Sequence, residues 1–131
     1  MSGYRRKGGC IVTDTVLKAL REIRLPYAIY ETDIHRYVRQ ALEQQHIAFV
    51  HEAKLAKGCR IDYLAGNVGI EIKKGKPNAK QLLMQLERYM QHDMLESMIV
   101  VSWFSVNIPA KIGGKRAELI VLSQLWGISL P

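Results

Sequence analysis

The stretch RIDYLAGNVGIEIKKG, from Arg60 to Gly75, decides how this sequence folds. It holds two runs of alternating apolar residues separated by Gly66-Asn67, one of the dipeptides that close two-residue hairpin turns. With that turn, Asp62 lies directly opposite Glu71 on the neighbouring strand. A longer turn would shift the register and separate the two acids, so the whole interpretation depends on this hairpin.

Side chains alternate between the two faces of a strand, and this alternation assigns each residue of the hairpin to one face of the sheet. Asp62, Glu71 and Lys73 are predicted to share one face, and Arg60 is predicted to lie opposite Lys73. The other face is predicted to point to a core and carries Ile61, Tyr63, Ile70 and Ile72.

The two opposed carboxylates repel each other, and like charges directly opposite one another destabilise a sheet. A divalent cation between Asp62 and Glu71 would remove that repulsion, and Mg²⁺ or Mn²⁺ prefers such hard oxygen ligands. Lys73 on the same face could then orient a water molecule and offset charge on a phosphate. The structural alternative is a solvated strand face on which Arg60 and Lys73 pair with the two acids.

The rest of the chain predicts an α/β protein with a central mixed β-sheet flanked by helices, in the order αβββαβ after an N-terminal helix. Residues 1–9 are predicted to be a flexible basic tail, and residues 10–131 a single domain. Helices are predicted at 13–24, 31–45 and 79–95, strands at 47–55, 59–64, 68–74 and 98–104, a polar glycine-rich loop at 107–116, and a strand or short helix at 117–126.

Charge and composition narrow the class of partner. The chain has 131 residues and a formal net charge of +7, which favours a polyanion such as nucleic acid. No apolar run is long enough to span a membrane, and no secretory signal follows the N-terminus, so a soluble intracellular protein without a membrane partner is expected. Cys10 and Cys59 match no zinc spacing and cannot hold a four-cysteine iron–sulfur cluster.

The pattern Ile61-Asp62, hairpin, Glu71-Ile72-Lys73 resembles the PD-(D/E)xK nuclease superfamily. The resemblance implies a restriction-endonuclease-like core. It also implies a catalytic set of Asp62, Glu71 and Lys73, with Mg²⁺ or Mn²⁺ held by both acids and by the main-chain carbonyl of Ile72.

The helix after the hairpin adds to the resemblance. Gln85 and Tyr89 are four residues apart and share a helix face, as in the Q-x-x-x-Y motif of the RecB-like branch, which includes CRISPR-associated and RecB-type exonuclease domains. That branch implies a further metal ligand at His35. Glu52 resembles a glutamate often found on the first strand of such domains.

Other polar residues are candidates for DNA contact or support of the site. Gln81 precedes Gln85 by one helical turn and extends its polar face. Basic residues in glycine-containing segments would give salt-dependent contacts to phosphates, although plain solubility explains any single one as well. They are Lys74, Lys76, Lys111, Lys115 and Arg116.

The expected function is therefore a metal-dependent deoxyribonuclease, with a RecB-like exonuclease first. Alternatives are a structure-specific endonuclease, such as a dimeric Holliday-junction resolvase, and a DNA-binding module that keeps the fold without catalysis. The small surface of one chain favours a homo-oligomer in either enzyme. A virus, a mobile element or a DNA repair and recombination system would each suit such a nuclease.

Overall fold

A six-stranded mixed β-sheet with helices on both faces forms the protein. The computed structural model describes the backbone of residues 2–25 and 31–128 and the side chains of residues 12–25 and 33–125. The elements, in chain order, are α1 (Ser2–Arg21), α2 (Glu31–Gln44), β1 (Val50–Ala56), β2 (Cys59–Ala65), β3 (Val68–Lys73), α3 (Ala79–Met90), β4 (Ser97–Ser102), β5 (Lys111–Ile112), β6 (Lys115–Val121) and α4 (Leu122–Ile128). The predicted α/β class and mixed sheet are confirmed.

The strand order is β1-β2-β3-β4-β6-β5. β1, β2 and β3 form an antiparallel meander, whereas β3, β4 and β6 run parallel to one another. α3 provides the crossover between β3 and β4 that a parallel pair requires. The carboxyl ends of the parallel strands, including Lys73, therefore lie at one end of the sheet, where open α/β sheets commonly bind ligands.

Two apolar cores lie on opposite faces of the sheet. One packs α1 and α2 against the sheet through residues such as Leu17, Leu20 and Val38. The other packs α3 against the sheet through Leu82 and Leu86. A charged group on the α3 face of a central strand is consequently removed from water.

The predicted hairpin register is confirmed over the paired part of β2 and β3. Ala65 pairs with Val68, and the ladder continues to Tyr63 and Ile70. Gly66 has a φ of +62°, a left-handed conformation that glycine adopts without strain and that a tight turn requires.

The predicted position of Ile61 is wrong. Tyr63 lies in the core beneath α1 and α2, whereas Ile61 lies in the core beneath α3. Neighbouring β1 changes face at the same level, since His51 stacks on Tyr63 and Ala53 joins the core of Ile61. Glu52 between them has a φ of +53°, and this left-handed backbone interrupts the regular alternation of an extended strand.

Several boundaries differ from the sequence prediction. Helical backbone covers residues 2–9, where a flexible basic tail is predicted; the domain boundaries themselves stay a prediction. α3 ends at Met90 because the chain then tightens into turns, with the His92 N–H donating to the Tyr89 carbonyl at 3.1 Å. The final segment forms both a strand, β6, and a short helix, α4.

The glycine-rich segment predicted as a loop contains a β-hairpin. β5 and β6 pair across Gly113 and Gly114, whose φ values are +61° and +78°. Two consecutive left-handed residues allow the two-residue turn that matches the twist of its strands. Within the described residues, no helix combines the length and the apolar character needed to cross a membrane.

Candidate active site

Asp62 and Glu71 meet where the ladder between β2 and β3 stops. The Ile72 N–H donates to Asp62 Oδ2 at 2.8 Å, and the Asp62 N–H donates to Glu71 Oε1 at 3.3 Å. Each carboxylate thus accepts a main-chain N–H that a carbonyl of the opposing strand would accept in a regular ladder. The two strands separate at this point, and the side chains of the two predicted acids lie between them.

Glu71 is buried, with 6% of its surface exposed. Burial raises the pKa of the Glu71 carboxyl, and the negative charge of Asp62 raises it further. Lys73 opposes this shift, since its Nζ lies 3.5 Å from Glu71 Oε2. The three predicted catalytic residues therefore form one electrostatic unit, in which the half-buried Lys73 ammonium compensates Glu71 beside Asp62.

α3 supplies the side chains that hold Glu71. Asn78 caps the helix by accepting a hydrogen bond from the Gln81 N–H at 3.0 Å, and Leu82 and Leu86 bury the apolar face. Gln85 and Tyr89 are directed to the acids by the same helical period.

The Gln85 amide donates to Glu71 Oε2 at 3.2 Å and to the Tyr89 hydroxyl at 2.9 Å. The Tyr89 hydroxyl donates to the Arg60 carbonyl at 3.0 Å. Burial and the charge of Glu71 raise the pKa of Tyr89, so its hydroxyl remains protonated and able to donate. The predicted Q-x-x-x-Y pair consequently contacts the buried acid and the strand carrying Asp62.

Glu71 is held from α3, whereas His35 lines a cleft with Asp62 on the other side of the sheet. Its Nδ1 lies 3.2 Å from the Tyr63 hydroxyl, on the α2 side of the sheet. Arg39, one turn further along α2, donates to the same hydroxyl at 2.9 Å. Arg39 and His51 were not candidates from the sequence, and the only signal for Arg39 was its spacing of four residues from His35.

Glu52 lies at the strained position of β1 and forms an ion pair with Arg60 at 3.4 Å. Both side chains are exposed, so this pair adds little stability. Glu52 and Asp62 nevertheless line one cleft, which places a third acid beside the site.

A second groove lies on the α3 side. It has a volume of about 360 Å³, and Gln81, predicted as a supporting residue, lines it together with Lys73, Gln85 and Arg88. The exposed loop after β3 carries Lys74 and Lys76 at the same end of the sheet.

The basic residues of the glycine-rich segment are held within the fold. Lys111, Lys115 and Arg116 lie in the β5–β6 hairpin and not in the loop that was predicted. Lys115 Nζ donates to the His92 carbonyl at 2.9 Å. Arg116 donates to Asp14 at 2.7 Å and to Glu118 at 2.8 Å, which neutralises its charge.

Whether the site can bind a metal ion depends on the ligands that Asp62 and Glu71 provide. Among the described residues, no group of three histidine, cysteine, aspartate or glutamate side chains could hold a metal ion. Mg²⁺ is nevertheless commonly bound through one or two carboxylates, with water and substrate phosphates completing its coordination. Asp62 and Glu71 fit that donor set, and the carbonyl of Ile72 stays a predicted third ligand.

Comparison with known proteins adds no family: no protein-family model, no curated protein and no solved structure matches this chain.

Proposed function

We propose that this protein is a Mg²⁺- or Mn²⁺-dependent deoxyribonuclease of the PD-(D/E)xK type, related to the RecB-like branch. The observation that carries the proposal is the buried Glu71 held against Asp62, with Lys73 at 3.5 Å. Burying a carboxyl beside a second acid costs free energy that Lys73 offsets only in part, since the pKa of Glu71 stays raised, and a bound cation would offset the rest.

Each residue has a role in the proposed hydrolysis. Asp62 and Glu71 would hold the metal, which would supply Lewis acidity at the phosphate oxygen and lower the pKa of a water molecule. Lys73 orients the attacking water and offsets negative charge that develops on the phosphate. Gln85 and Tyr89 are positioning residues: Gln85 donates to Glu71, and Tyr89 accepts from Gln85 while its hydroxyl lies 3.4 Å from Glu71 Oε2.

Two features support DNA as the substrate. The net charge of +7 attracts a polyanion. The groove lined by Lys73, Gln81 and Arg88 leads from the acids along α3, and it offers cationic and amide donors suited to a phosphate backbone.

The test is a cleavage assay with Mg²⁺, Mn²⁺ or EDTA on linear duplex, nicked, single-stranded and four-way-junction DNA, with RNA in parallel. We expect hydrolysis of DNA that requires the metal. Degradation from ends would identify an exonuclease, and symmetrical cuts confined to junctions would identify a resolvase. The absence of hydrolysis from every substrate, combined with metal-independent DNA binding, would instead identify a non-catalytic module.

Two variants assign the activity to this site. Asp62→Asn and Lys73→Ala should each lower the cleavage rate by at least about 100-fold, since each removes a charge that acts in the transition state. Asp93→Asn and Lys18→Ala remove the same charges from exposed positions and serve as matched controls. Full activity in Asp62→Asn would refute the assignment.

We also propose that the active form is a homo-oligomer. β1 is an edge strand of the sheet, and Val50 on it is 57% exposed. Analytical ultracentrifugation over a range of protein concentrations tests this proposal, which a strictly monomeric and active enzyme would exclude.

A further inference from the structure

The cleft lined by Glu52 and Asp62 lies on the α2 side of Asp62, away from the groove along α3. It has a volume of about 430 Å³ and is lined by His35, Arg39, His51, Glu52 and Asp62. The proposed hydrolysis uses only Asp62 from this group. The remaining side chains need another explanation.

The Tyr63 hydroxyl organises the donors of this cleft. Tyr63 is fully buried, and a phenol keeps its proton at neutral pH. Arg39 can only donate, and it uses the hydroxyl oxygen as its acceptor at 2.9 Å. The same hydroxyl lies 3.2 Å from His35 Nδ1, and donating its proton to that nitrogen would place the imidazole proton on Nε2.

Arg39 has donors to spare. A guanidinium carries five N–H groups, and one of them contacts Tyr63. Among the described side chains, Arg36, Arg60 and Arg116 each form an ion pair with a carboxylate, whereas Arg39 forms none. A half-buried guanidinium without an acidic partner is suited to an external anion.

The acids of the cleft have partners other than Arg39. Glu52 is paired with Arg60, and Asp62 accepts the Ile72 N–H. His51 stacks on the Tyr63 ring, with 4.8 Å between ring centroids, and adds a further imidazole at the exposed edge.

We infer that His35 and Arg39, held by the Tyr63 hydroxyl, form a subsite for a phosphate of the nucleic-acid strand adjacent to the phosphate that is hydrolysed. The inference rests on the proposed nuclease function for the identity of its ligand. It assigns His35 to phosphate and not to metal, because His35 Nδ1 meets the Tyr63 hydroxyl that also accepts a hydrogen bond from the Arg39 guanidinium. The bound group is either a terminal phosphate monoester or an internal diester.

The experiment measures binding without hydrolysis. Fluorescence anisotropy in EDTA follows single-stranded oligonucleotides of roughly 12 nucleotides that carry a 5′-phosphate, a 3′-phosphate or hydroxyls at both ends. Arg39→Gln should weaken binding by about tenfold, as expected for loss of a charge-assisted contact. Arg36→Gln removes the same charge one turn earlier on α2 and should change affinity less than about threefold.

The three oligonucleotides distinguish the two sources of phosphate. A loss shared by all three indicates an internal diester, and a loss confined to one phosphorylated end indicates a monoester. Equal effects of Arg39→Gln and Arg36→Gln would overturn the subsite, since they would reflect general electrostatics alone.

Tyr63→Phe provides a variant that keeps both cationic side chains. It should weaken binding severalfold, because Arg39 and His35 lose their common partner; unchanged affinity would overturn the role given to the hydroxyl. Thermal unfolding verifies that each variant is folded. If Arg39→Gln does not fold, Arg39→Lys replaces it and should also bind more weakly, since an ammonium lacks the planar fork.

His35→Gln separates phosphate binding from metal binding. We expect weaker DNA binding in EDTA and an unchanged Mg²⁺ affinity by calorimetry. Reduced Mg²⁺ affinity with unchanged DNA binding would make His35 a metal ligand and overturn the assignment. If the parent protein cleaves no DNA while the Arg39 effect persists, the nuclease proposal fails and the anion subsite stands.

Discussion

Glu71 is the one acidic or basic side chain that is buried among those that the structure describes. Asp62, Gln85 and Lys73 contact the two oxygens of its carboxylate. The residue is therefore held in place at a cost in free energy, since its charged form has lost water and faces a second acid.

Glu71→Gln should raise the stability of the metal-free protein at neutral pH while abolishing cleavage. The pKa of Glu71 is raised in the folded state, so its favourable contribution exists at low pH and is lost as pH rises through the folded pKa. The stability of the parent relative to Glu71→Gln should fall along the same pH range, measured by urea unfolding. If the parent became more stable relative to the variant as the pH rises, the predicted direction of the pH dependence would be contradicted.

Added Mg²⁺ provides the complementary measurement. It should raise the unfolding temperature of the parent, because a ligand that binds only the folded state stabilises it. The same addition should leave Glu71→Gln almost unchanged. Glu87→Gln, which alters an exposed acid on α3, should respond like the parent.

Tyr89→Phe tests the support of Glu71 from α3. Removing the hydroxyl leaves the Arg60 carbonyl without its side-chain donor and loosens the contact with Glu71. Loss of an outer contact to a metal-binding residue commonly costs 10–100-fold in activity, so a fall of about that size is expected. A steady-state cleavage assay measures it, and an activity within twofold of the parent would contradict the positioning role.

At the scale of elements, the β2–β3 hairpin combines a tight turn with close packing under α3. Gly66 provides the left-handed turn, and Gly69 allows Ile61 and Met98 to approach the backbone of β3. The core of α3 therefore closes directly over the strand that carries Glu71.

Gly69→Ala should destabilise the protein by about 1–3 kcal/mol, the usual cost of overpacking. A methyl group there would overlap Ile61 and Met98, both fully buried and with little room to move. Gly75→Ala is the matched control, because a methyl group there meets no atom within 4 Å. Equal unfolding midpoints for the two variants in urea would contradict this packing.

At the scale of the whole molecule, the basic side chains differ in how far they are engaged by other groups of the protein. Arg116 is engaged by Asp14 and Glu118, and Lys115 by the His92 carbonyl. The exposed loop after β3 adjoins the groove along α3 and carries Lys76. DNA is therefore expected to contact the Lys73 end of the sheet more than the β5–β6 hairpin.

Lys76→Gln should reduce the slope of the logarithm of DNA affinity against the logarithm of salt concentration by about 1, as expected for one lost phosphate contact. Arg116→Gln should leave the slope nearly unchanged and lower stability, since Asp14 and Glu118 lose their partner. Binding titrations at several salt concentrations check both. A larger slope change for Arg116→Gln than for Lys76→Gln would indicate that DNA contacts the β5–β6 hairpin more than the Lys73 end of the sheet, which would contradict the proposal.

Local patterns account for the parts of the fold that were predicted correctly. The alternation on both sides of Gly66-Asn67 is a short-range signal, so the hairpin and its register followed from neighbouring residues. The spacing of Gln85 and Tyr89 follows in the same way from the helical period. The position of Ile61 was wrong because the positive φ of Glu52 lies on another strand, and no residue-type preference indicates it.

The sequence by itself determined the α/β class, the hairpin and the candidate set of Asp62, Glu71, Lys73, Gln85 and Tyr89. Periodicity and turn chemistry act between residues close in the chain, so they can be recognised without coordinates. Only the tertiary structure decided that Glu71 is buried, that α3 holds it, and that Arg39 and His35 meet at Tyr63. These contacts join residues 14 to 28 positions apart, and their geometry depends on how the whole sheet twists and packs, which no local pattern specifies.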